Sequence, residues 1–489
     1  MNTQPESNNN LLLALREILP EQYLLTAVED LKPYECDGSP VYQRLPVAVA
    51  LPSTIEEVQK IIHVCESLRV PVVARGAGTG LSGGALPHEG GIILALSRFN
   101  KILEINDERM TMRVQPGVRN LAISEAAAPY GLYYAPDPSS QIACTIGGNV
   151  AENAGGVHCL KYGLTVHNVL EVKIITAEGE LVTLGSSTLD TPGYDLLALI
   201  TGSEGMLGII VEVVVKLLPR PPETKVLMAS FDQVEDAANA VAAIISAGII
   251  PAGLELMDNL AIQATEAFVH AGYPTDAEAI LLCELDGTEE ELAEQVSLVA
   301  DILRNANSIR VIMASSDQEK ARLWAGRKAA FPAVGRISPD YYCMDGTIPR
   351  KNVAAVLSEI KLLSANYGLR VANVFHAGDG NLHPLILFDA GKKGELEKAE
   401  QFGADILELC VKMGGSITGE HGVGFEKLDQ MCVQFNEDEL THFHNIKYAF
   451  DPYELLNPGK VIPTLHRCAE LGSMHVHHGE LPHPEIPRF

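Results

Sequence analysis

Two short runs in the second half of the chain concentrate side chains that can do chemistry. Val374-Phe375-His376-Ala377-Gly378-Asp379-Gly380-Asn381-Leu382-His383-Pro384 places two imidazoles on apolar, strand-like text around a Gly-Asp-Gly-Asn turn, and Gly419-Glu420-His421-Gly422 follows later. Imidazole and carboxylate suit a divalent transition metal such as zinc or manganese, and two His with one Glu leave coordination positions for a substrate. A 2-hydroxy acid bound there would chelate through its carboxylate and hydroxyl, and the metal would make the hydroxyl more acidic. An adjacent base would then take that proton while the α-hydrogen leaves as hydride. Singly, His376 and His383 read as hydrogen-bonded turn residues and Glu420 as a surface acid. Jointly they favour the ligand reading.

A second set of signals lies in the first half. Arg75-Gly76-Ala77-Gly78-Thr79-Gly80-Leu81-Ser82-Gly83-Gly84 directly follows an apolar strand, and Gly78-x-Gly80-x-x-Gly83 matches the dinucleotide fingerprint. A Rossmann site also needs a helix opening at the last glycine. Here a proline-containing stretch leads straight to the next strand, with no room for one. Successive backbone N–H groups in a glycine turn can bind a pyrophosphate without a helix. A second loop runs Pro136-Asp137-Pro138-Ser139-Ser140, then Thr145 to Gly156, then Lys161-Tyr162-Gly163, and a third is Thr201 to Ile210. Any one of these would pass as a set of tight turns. Three such loops in one domain point to a cofactor.

The elements that must position these residues are legible in outline. Residues 1–40 read as a helical leader and a loop. Ser53-Thr54-Ile55-Glu56 reads as a capping box before the amphipathic stretch 57–68, and 70–76 as a strand ending in glycine. A hairpin is predicted over 170–185 around Glu178-Gly179. After the proline cluster at 219–222, strands (225–230, 251–257, 279–285, 309–314) alternate with helices (232–247, 288–304, 317–330), which predicts a ferredoxin-like unit. A helix over 436–450 and the segment 451–460 close the chain before a His- and Pro-rich tail.

Composition removes several alternatives. At 489 residues with 47% hydrophobic residues, the chain can pack two or three domains. A net charge of −27 would repel a phosphate backbone, so nucleic acid is not an expected partner. No run is long and apolar enough for a membrane span, and the polar N-terminus resembles no export signal, so a cytoplasmic location is expected. Nine scattered cysteines without a C-x-x-C pair predict reduced thiols and no iron–sulfur cluster. The tail imidazoles His475, His477, His478 and His483 read as an unstructured segment before they read as a metal site.

The three loops, in this order, resemble the FAD-binding domain of the vanillyl-alcohol oxidase family, the p-cresol methylhydroxylase type. The resemblance spans roughly 41–220, and Asn457-Pro458-Gly459-Lys460 matches that family's C-terminal return to the flavin. It implies an α+β protein. Residues 1–40 would be the leader, 41–222 the two-subdomain FAD-binding domain, 223–425 a ferredoxin-like substrate (cap) domain, 426–466 the returning segment and 467–489 a flexible tail. It further implies cofactor contacts from Arg75, Gly76, Ala77, Gly78, Thr79 and Gly80 in the first loop. The second loop would contribute Pro136, Asp137, Ser140, Gly147, Gly148, Asn153 and Gly156; the third, Glu204, Gly208, Ile209 and Ile210; and the return, Asn457. Some relatives tether the flavin to a His in the first loop; Thr79 stands at that place here, which implies noncovalent FAD.

The second-half motifs resemble a narrower family, the FAD-linked D-2-hydroxy-acid dehydrogenases. These include D-lactate and D-2-hydroxyglutarate dehydrogenases and the flavin subunit of bacterial glycolate oxidase. By that resemblance His376, His383 and Glu420 hold a zinc-like ion, His421 is the base, and Arg327 of Trp324-Ala325-Gly326-Arg327 grips the substrate carboxylate. Where the hydroxyglutarate enzymes place a Lys for the distal carboxylate, this chain has Cys343, which disfavours a dicarboxylate. Arg336, Tyr341 and Tyr342 lie nearby in sequence, and Arg336 and Tyr342 are expected to bind a smaller acid with Arg327 and His421. The string 338–350 resembles the glycolate oxidase flavin subunit. That implies companion flavin-domain and iron–sulfur subunits that take the electrons and bring the protein to the inner membrane face. Oxidation of D-2-hydroxyglutarate, a non-catalytic flavin subunit and a homodimer stay open at this point.

Overall fold

In the computed structural model, residues 4–186 and 193–464 are described, with the side chains of 4–7 left aside; the His-rich tail and Cys468 lie outside these residues. The chain forms two compact units. The first comprises residues up to Gly155, Leu164–Pro219 and residues from Glu420 onward; the second comprises Gly156–Gly163 and Arg220–Gly419. The segment 156–163, read from sequence as part of the flavin domain, therefore packs with the second unit.

The first unit opens on helix Gln4–Ile18, whose Leu11 and Leu15, with Leu19 just beyond, are fully buried. A four-stranded sheet follows in the order Leu24–Leu25, Ala48–Ala50, Ile92–Ala95, Val72–Arg75, the last three parallel. Parallel pairing requires a crossover, supplied by helix Ile55–Leu68, which buries Val58, Ile61, Ile62 and Cys65 against the sheet. The cap of this helix sits one residue later than its sequence signature. Thr54 is the N-cap and accepts the Glu57 N–H, while the Glu57 carboxylate reaches back to the Ser53 N–H.

A second, antiparallel sheet of the first unit runs Ile102–Asn106, Thr111–Val114, Ile209–Lys216, Val169–Ile175, Leu181–Gly185. Its last pair is the hairpin predicted over 170–185, with Gly179 at φ +82° in the turn. Helix Glu437–Phe450 returns the chain, and Leu455–Asn457 then runs beside the first sheet: Val72 donates to the Leu455 carbonyl (2.8 Å) and Asn457 to the Val72 carbonyl (2.9 Å).

The second unit is built on one antiparallel sheet. Four strands, Arg310–Met313, Glu223–Phe231, Ala279–Gly287 and Gly253–Asp258, lie in that order with helices Val234–Ser246 and Glu289–Asn305 between them in sequence. In chain order this is 4-1-3-2, the ferredoxin-like arrangement. The sheet then continues past Gly253–Asp258 with Val371–His376, Asn381–Phe388 and Asp340–Cys343, so the two imidazole-bearing strands extend it. Glu284 and Asp286, two residues apart on one strand and hence on one face, fasten the 156–163 segment. Glu284 meets His158 Nε2 at 3.1 Å and Asp286 bonds both Lys161 and Tyr162.

Among the described residues no helix is long and apolar enough to cross a membrane. Among the described residues, Cys36, Cys65, Cys144, Cys159, Cys283, Cys343 and Cys410 are free thiols.

Candidate functional site

In the first unit, strand Val72–Arg75 ends at Arg75, whose guanidinium donates to the Cys36 carbonyl (2.6 Å). This arginine is a strut, and a Cβ on Gly78 (φ +69°) would overlap it. No helix opens between Gly76 and strand Ile92–Ala95, as the spacing predicted. A Cβ on Gly76 would run into Thr145 Oγ1, so glycine at 76 lets the first loop and the head of the second come together. Gly147 lies equally close to Pro116, at 2.5 Å from a Cβ to the proline's own Cβ. The second loop does open a helix, Ile146–Glu152, ended by Asn153 at φ +52°. The Asn153 side chain is engaged by the Val166 N–H (2.9 Å).

Ser82 Oγ and Thr145 Oγ1 are buried and have no hydrogen-bond partner among the described residues. Buried polar atoms are nearly always satisfied, so two orphaned hydroxyls on the glycine loops fit a ligand rich in phosphate and hydroxyl oxygens. The residues present therefore fit FAD. Several side chains that the resemblance assigned to the cofactor are engaged by the protein itself. Ile209 and Ile210 are core residues paired with Ile175 and Ile174, and Gly208 packs on Ile174. Asn457 Nδ2 donates to the Gly84 and Glu204 carbonyls (3.1 and 2.7 Å), and both Glu204 oxygens accept backbone N–H groups. Gly156 belongs to the second unit.

Lys460, at the end of Asn457-Pro458-Gly459-Lys460, is buried and donates to the Gly84 and Leu86 carbonyls and to Asn457 Oδ1 (2.8, 2.5 and 2.6 Å). Burial pushes its pKa down to about 7, against the pull of Asp37, Glu204 and Glu152. It ties the C-terminal return to the end of the first glycine loop.

In the second unit, Val371–His376 and Asn381–Phe388 form a hairpin in which Val374 faces His383 and His376 faces Asn381. His376 and His383 are thus diagonal neighbours on one face. Their rings meet edge-on with centroids 5.0 Å apart, both are almost fully buried, and one ring nitrogen of each lies within 4.8 Å of the other. The turn between them needs glycine at 380, where φ is +82° and a Cβ would overlap the Ile348 carbonyl.

Glu255, on strand Gly253–Asp258, is the hub of this cluster. Its Oε1 meets His376 Nδ1 at 2.9 Å and its Oε2 meets Arg327 Nη2 at 2.6 Å. Burial pushes the Glu255 carboxyl up, but His376 and Arg327 outweigh it and hold it below the ordinary range. With Glu255 ionised, His376 Nδ1 directs its proton toward the carboxylate. Arg327, on helix Asp317–Lys328, is thereby held to the protein's own carboxylate, while its Nε has no hydrogen-bond partner among the described residues. Asp345, fully buried, lies 3.9 Å from His383 Nδ1 and accepts from Asn381 Nδ2, Thr418 Oγ1 and the Gly419 N–H (3.1, 2.7 and 3.0 Å).

Two expected substrate contacts lie elsewhere. Tyr342 packs against helix Glu395–Lys412, where a Cβ on Gly403 would be 3.0 Å from its ring. Alternation along the strand sends Tyr341 and Cys343 to the imidazole face instead. Phe331 bridges Tyr341 and His383, with centroids 6.4 and 6.1 Å away. Arg336 is exposed, and its guanidinium lies 5.8 Å from the ring of Phe268. Glu255 escaped the sequence reading, although a lone carboxylate inside Gly253-Leu254-Glu255-Leu256-Met257 was a signal, since carboxylates are rarely buried without a partner.

Glu420 and His421 belong to the first unit, directly after Gly419 in the chain. A Cβ on Gly155 would overlap the Glu420 carboxylate.

Comparison with known proteins agrees with both halves of this description. Residues 46–185 match the FAD binding domain model, and residues 220–461 match the model of FAD linked oxidases, C-terminal domain. The chain is 65% identical over 480 residues to the glycolate oxidase subunit GlcD of Escherichia coli (strain K12), covering 98% of this chain and 96% of that one. It is 33% identical over 456 residues to a D-lactate dehydrogenase of Anaerostipes hadrus, covering 91% and 96%. The structure of p-cresol methylhydroxylase with substrate bound superposes with a TM-score of 0.80 at 19% identity, over 94% of this chain and 98% of the other, which establishes the shared fold. The chain therefore belongs to the FAD-linked oxidases and has their two-domain fold.

Proposed function

We propose that the protein oxidises a small D-2-hydroxy acid, glycolate or D-lactate, to the 2-oxo acid, with FAD as the immediate acceptor. The observation that carries the chemistry is the buried His376–Glu255–Arg327 chain beside His383. The substrate range follows from the relatives named for glycolate and D-lactate. Bound FAD supplies two-electron oxidation, with N5 as hydride acceptor. Its noncovalent binding rests on Thr79 standing where a tethering His would be.

The two buried imidazoles, one oriented through Nδ1 by a carboxylate, make a donor set suited to zinc or manganese. Glu420 is our third ligand, from the Glu-His-Gly match. A divalent ion there would supply Lewis acidity to the substrate hydroxyl. His421 takes the hydroxyl proton in this reading, and Cys343 and Tyr341 restrict the pocket on the imidazole face. The Arg327 fork, already paired with Glu255, keeps Nε for a carboxylate. Electrons then pass to companion subunits on the cytoplasmic side, a reading supported by a relative that is itself named as a subunit.

Anaerobic mixing of the yellow holoprotein with glycolate, D-lactate and D-2-hydroxyglutarate, with and without a chelator, tests this reading. Bleaching by the first two, lost on chelation with flavin retained, is expected. Bleaching by none of them overturns it.

A further inference from the structure

We propose that Glu204 is a positioning residue: its carboxylate clamps the turn that follows Glu420 and His421 and acts on the reaction through them. The proposal rests on the roles given to those two residues above.

Glu204 sits in the third glycine loop at φ +52°, nearly fully buried. Oε1 accepts the Val423 N–H at 2.7 Å and Oε2 the Gly424 N–H at 2.8 Å, so each oxygen holds one of two consecutive amides. Gly422 and Gly424 both have positive φ (+79° and +55°), which curls the backbone so that its N–H groups converge on an anion. Here the anion is the protein's own. Gly422 is wedged between carboxylates: a Cβ there would be 2.7 Å from Glu204 Oε1 and would overlap Glu152 Oε2. Glu204 is itself held at both backbone ends, donating to the Ala151 carbonyl (2.8 Å) and accepting from Asn457 Nδ2 (2.7 Å).

The turn is also tied beyond the clamp. Phe425 and Glu426 donate to the Ser82 carbonyl (2.9 and 3.0 Å), and Val461 donates to the Gly424 carbonyl (2.9 Å). Those ties lie at the Gly424 carbonyl and beyond it, whereas Glu204 takes hold two and three residues from His421. With both oxygens engaged on amides, the Glu204 side chain is a poor candidate for a cofactor contact.

Glu204→Gln keeps the shape but turns an NH2 group toward one of the two amides. The test compares wild-type and E204Q holoprotein in anaerobic flavin reduction by D-lactate, in flavin content, and in amide hydrogen exchange over 420–426. The expected result is unchanged flavin content with a limiting reduction rate lowered about a hundredfold, since a displacement on the order of 1 Å has that effect. The half-saturating acid concentration should stay within about threefold, and protection at Val423 and Gly424 should be lost. Reduction at the wild-type rate, or loss of flavin with normal reduction in the loaded fraction, overturns the proposal. Should E204Q fail to fold, exchange in the wild type decides: unprotected amides at Val423 and Gly424 overturn the clamp and protected ones support it. A wild type that no hydroxy acid bleaches defeats the proposed function instead, and exchange still judges the clamp.

Discussion

Glu255 and His376 are joined by a 2.9 Å contact between Oε1 and Nδ1, and the same carboxylate receives Arg327 at 2.6 Å. One buried anion thus fixes the orientation of an imidazole and neutralises a guanidinium. Neither partner could be changed without consequence for the other.

Replacing Glu255 with Gln should weaken zinc binding by about 10- to 100-fold, the usual effect of losing the group that orients a ligating imidazole. Competition against a chromophoric chelator measures this directly. Equal zinc affinity in E255Q would remove the metal role from His376.

Arg327→Ala leaves the Glu255 carboxylate buried without its cation. Breaking a buried pair on one side costs about 3–5 kcal/mol, against about 0–1 kcal/mol for an exposed pair. Urea unfolding of the full chain reads the difference, and a loss under about 1 kcal/mol would show that the pair is not the strut described here.

Asp258 caps helix Asn259–Val269 and also accepts from Asn373, and burial pushes its pKa up to about 6. A raised carboxyl pKa means that the folded state holds the proton longer than the unfolded chain. Its contribution to stability is therefore greatest below the ordinary carboxylate range and is lost as pH rises through about 6. Between pH 4 and pH 7 the stability advantage of wild type over Asp258→Asn should shrink by about 2 kcal/mol. A difference independent of pH would contradict the shift.

Two glycines with nearly equal φ separate strain from crowding. Gly380 (φ +82°) has the Ile348 carbonyl where a Cβ would go, whereas Gly394 (φ +84°) has open space there. Gly394→Ala should cost only the backbone term, about 1–2 kcal/mol. Gly380→Ala should cost clearly more, displacing the hairpin turn and with it the imidazole pair. Thermal unfolding of both variants makes the comparison, and equal losses would count against the close approach.

The parts that sequence revealed are those dictated by local backbone and period. The hairpin around Glu178-Gly179 and the helix-free first loop both follow from φ preferences and local spacing within one strand or turn. What it missed depends on pairing across the chain. Choosing Tyr342 over Tyr341 required the phase of strand Asp340–Cys343, which is set by its register with Leu385–Phe388. Arg336 was near the motif in sequence but projects to the surface. Glu255 and Lys460 acquire meaning only through partners far along the chain.

The bond from Lys460 to the Gly84 carbonyl spans 376 positions, and Leu455 and Asn457 both pair with Val72. During synthesis, the first glycine loop therefore waits for nearly the whole chain before its last supports arrive. Such high contact order slows folding and prolongs exposure of unpaired strand edges. Cofactor loading of a nascent chain should be a late event, and the parallel strand beside Leu455–Leu456 is the edge most in need of protection until then.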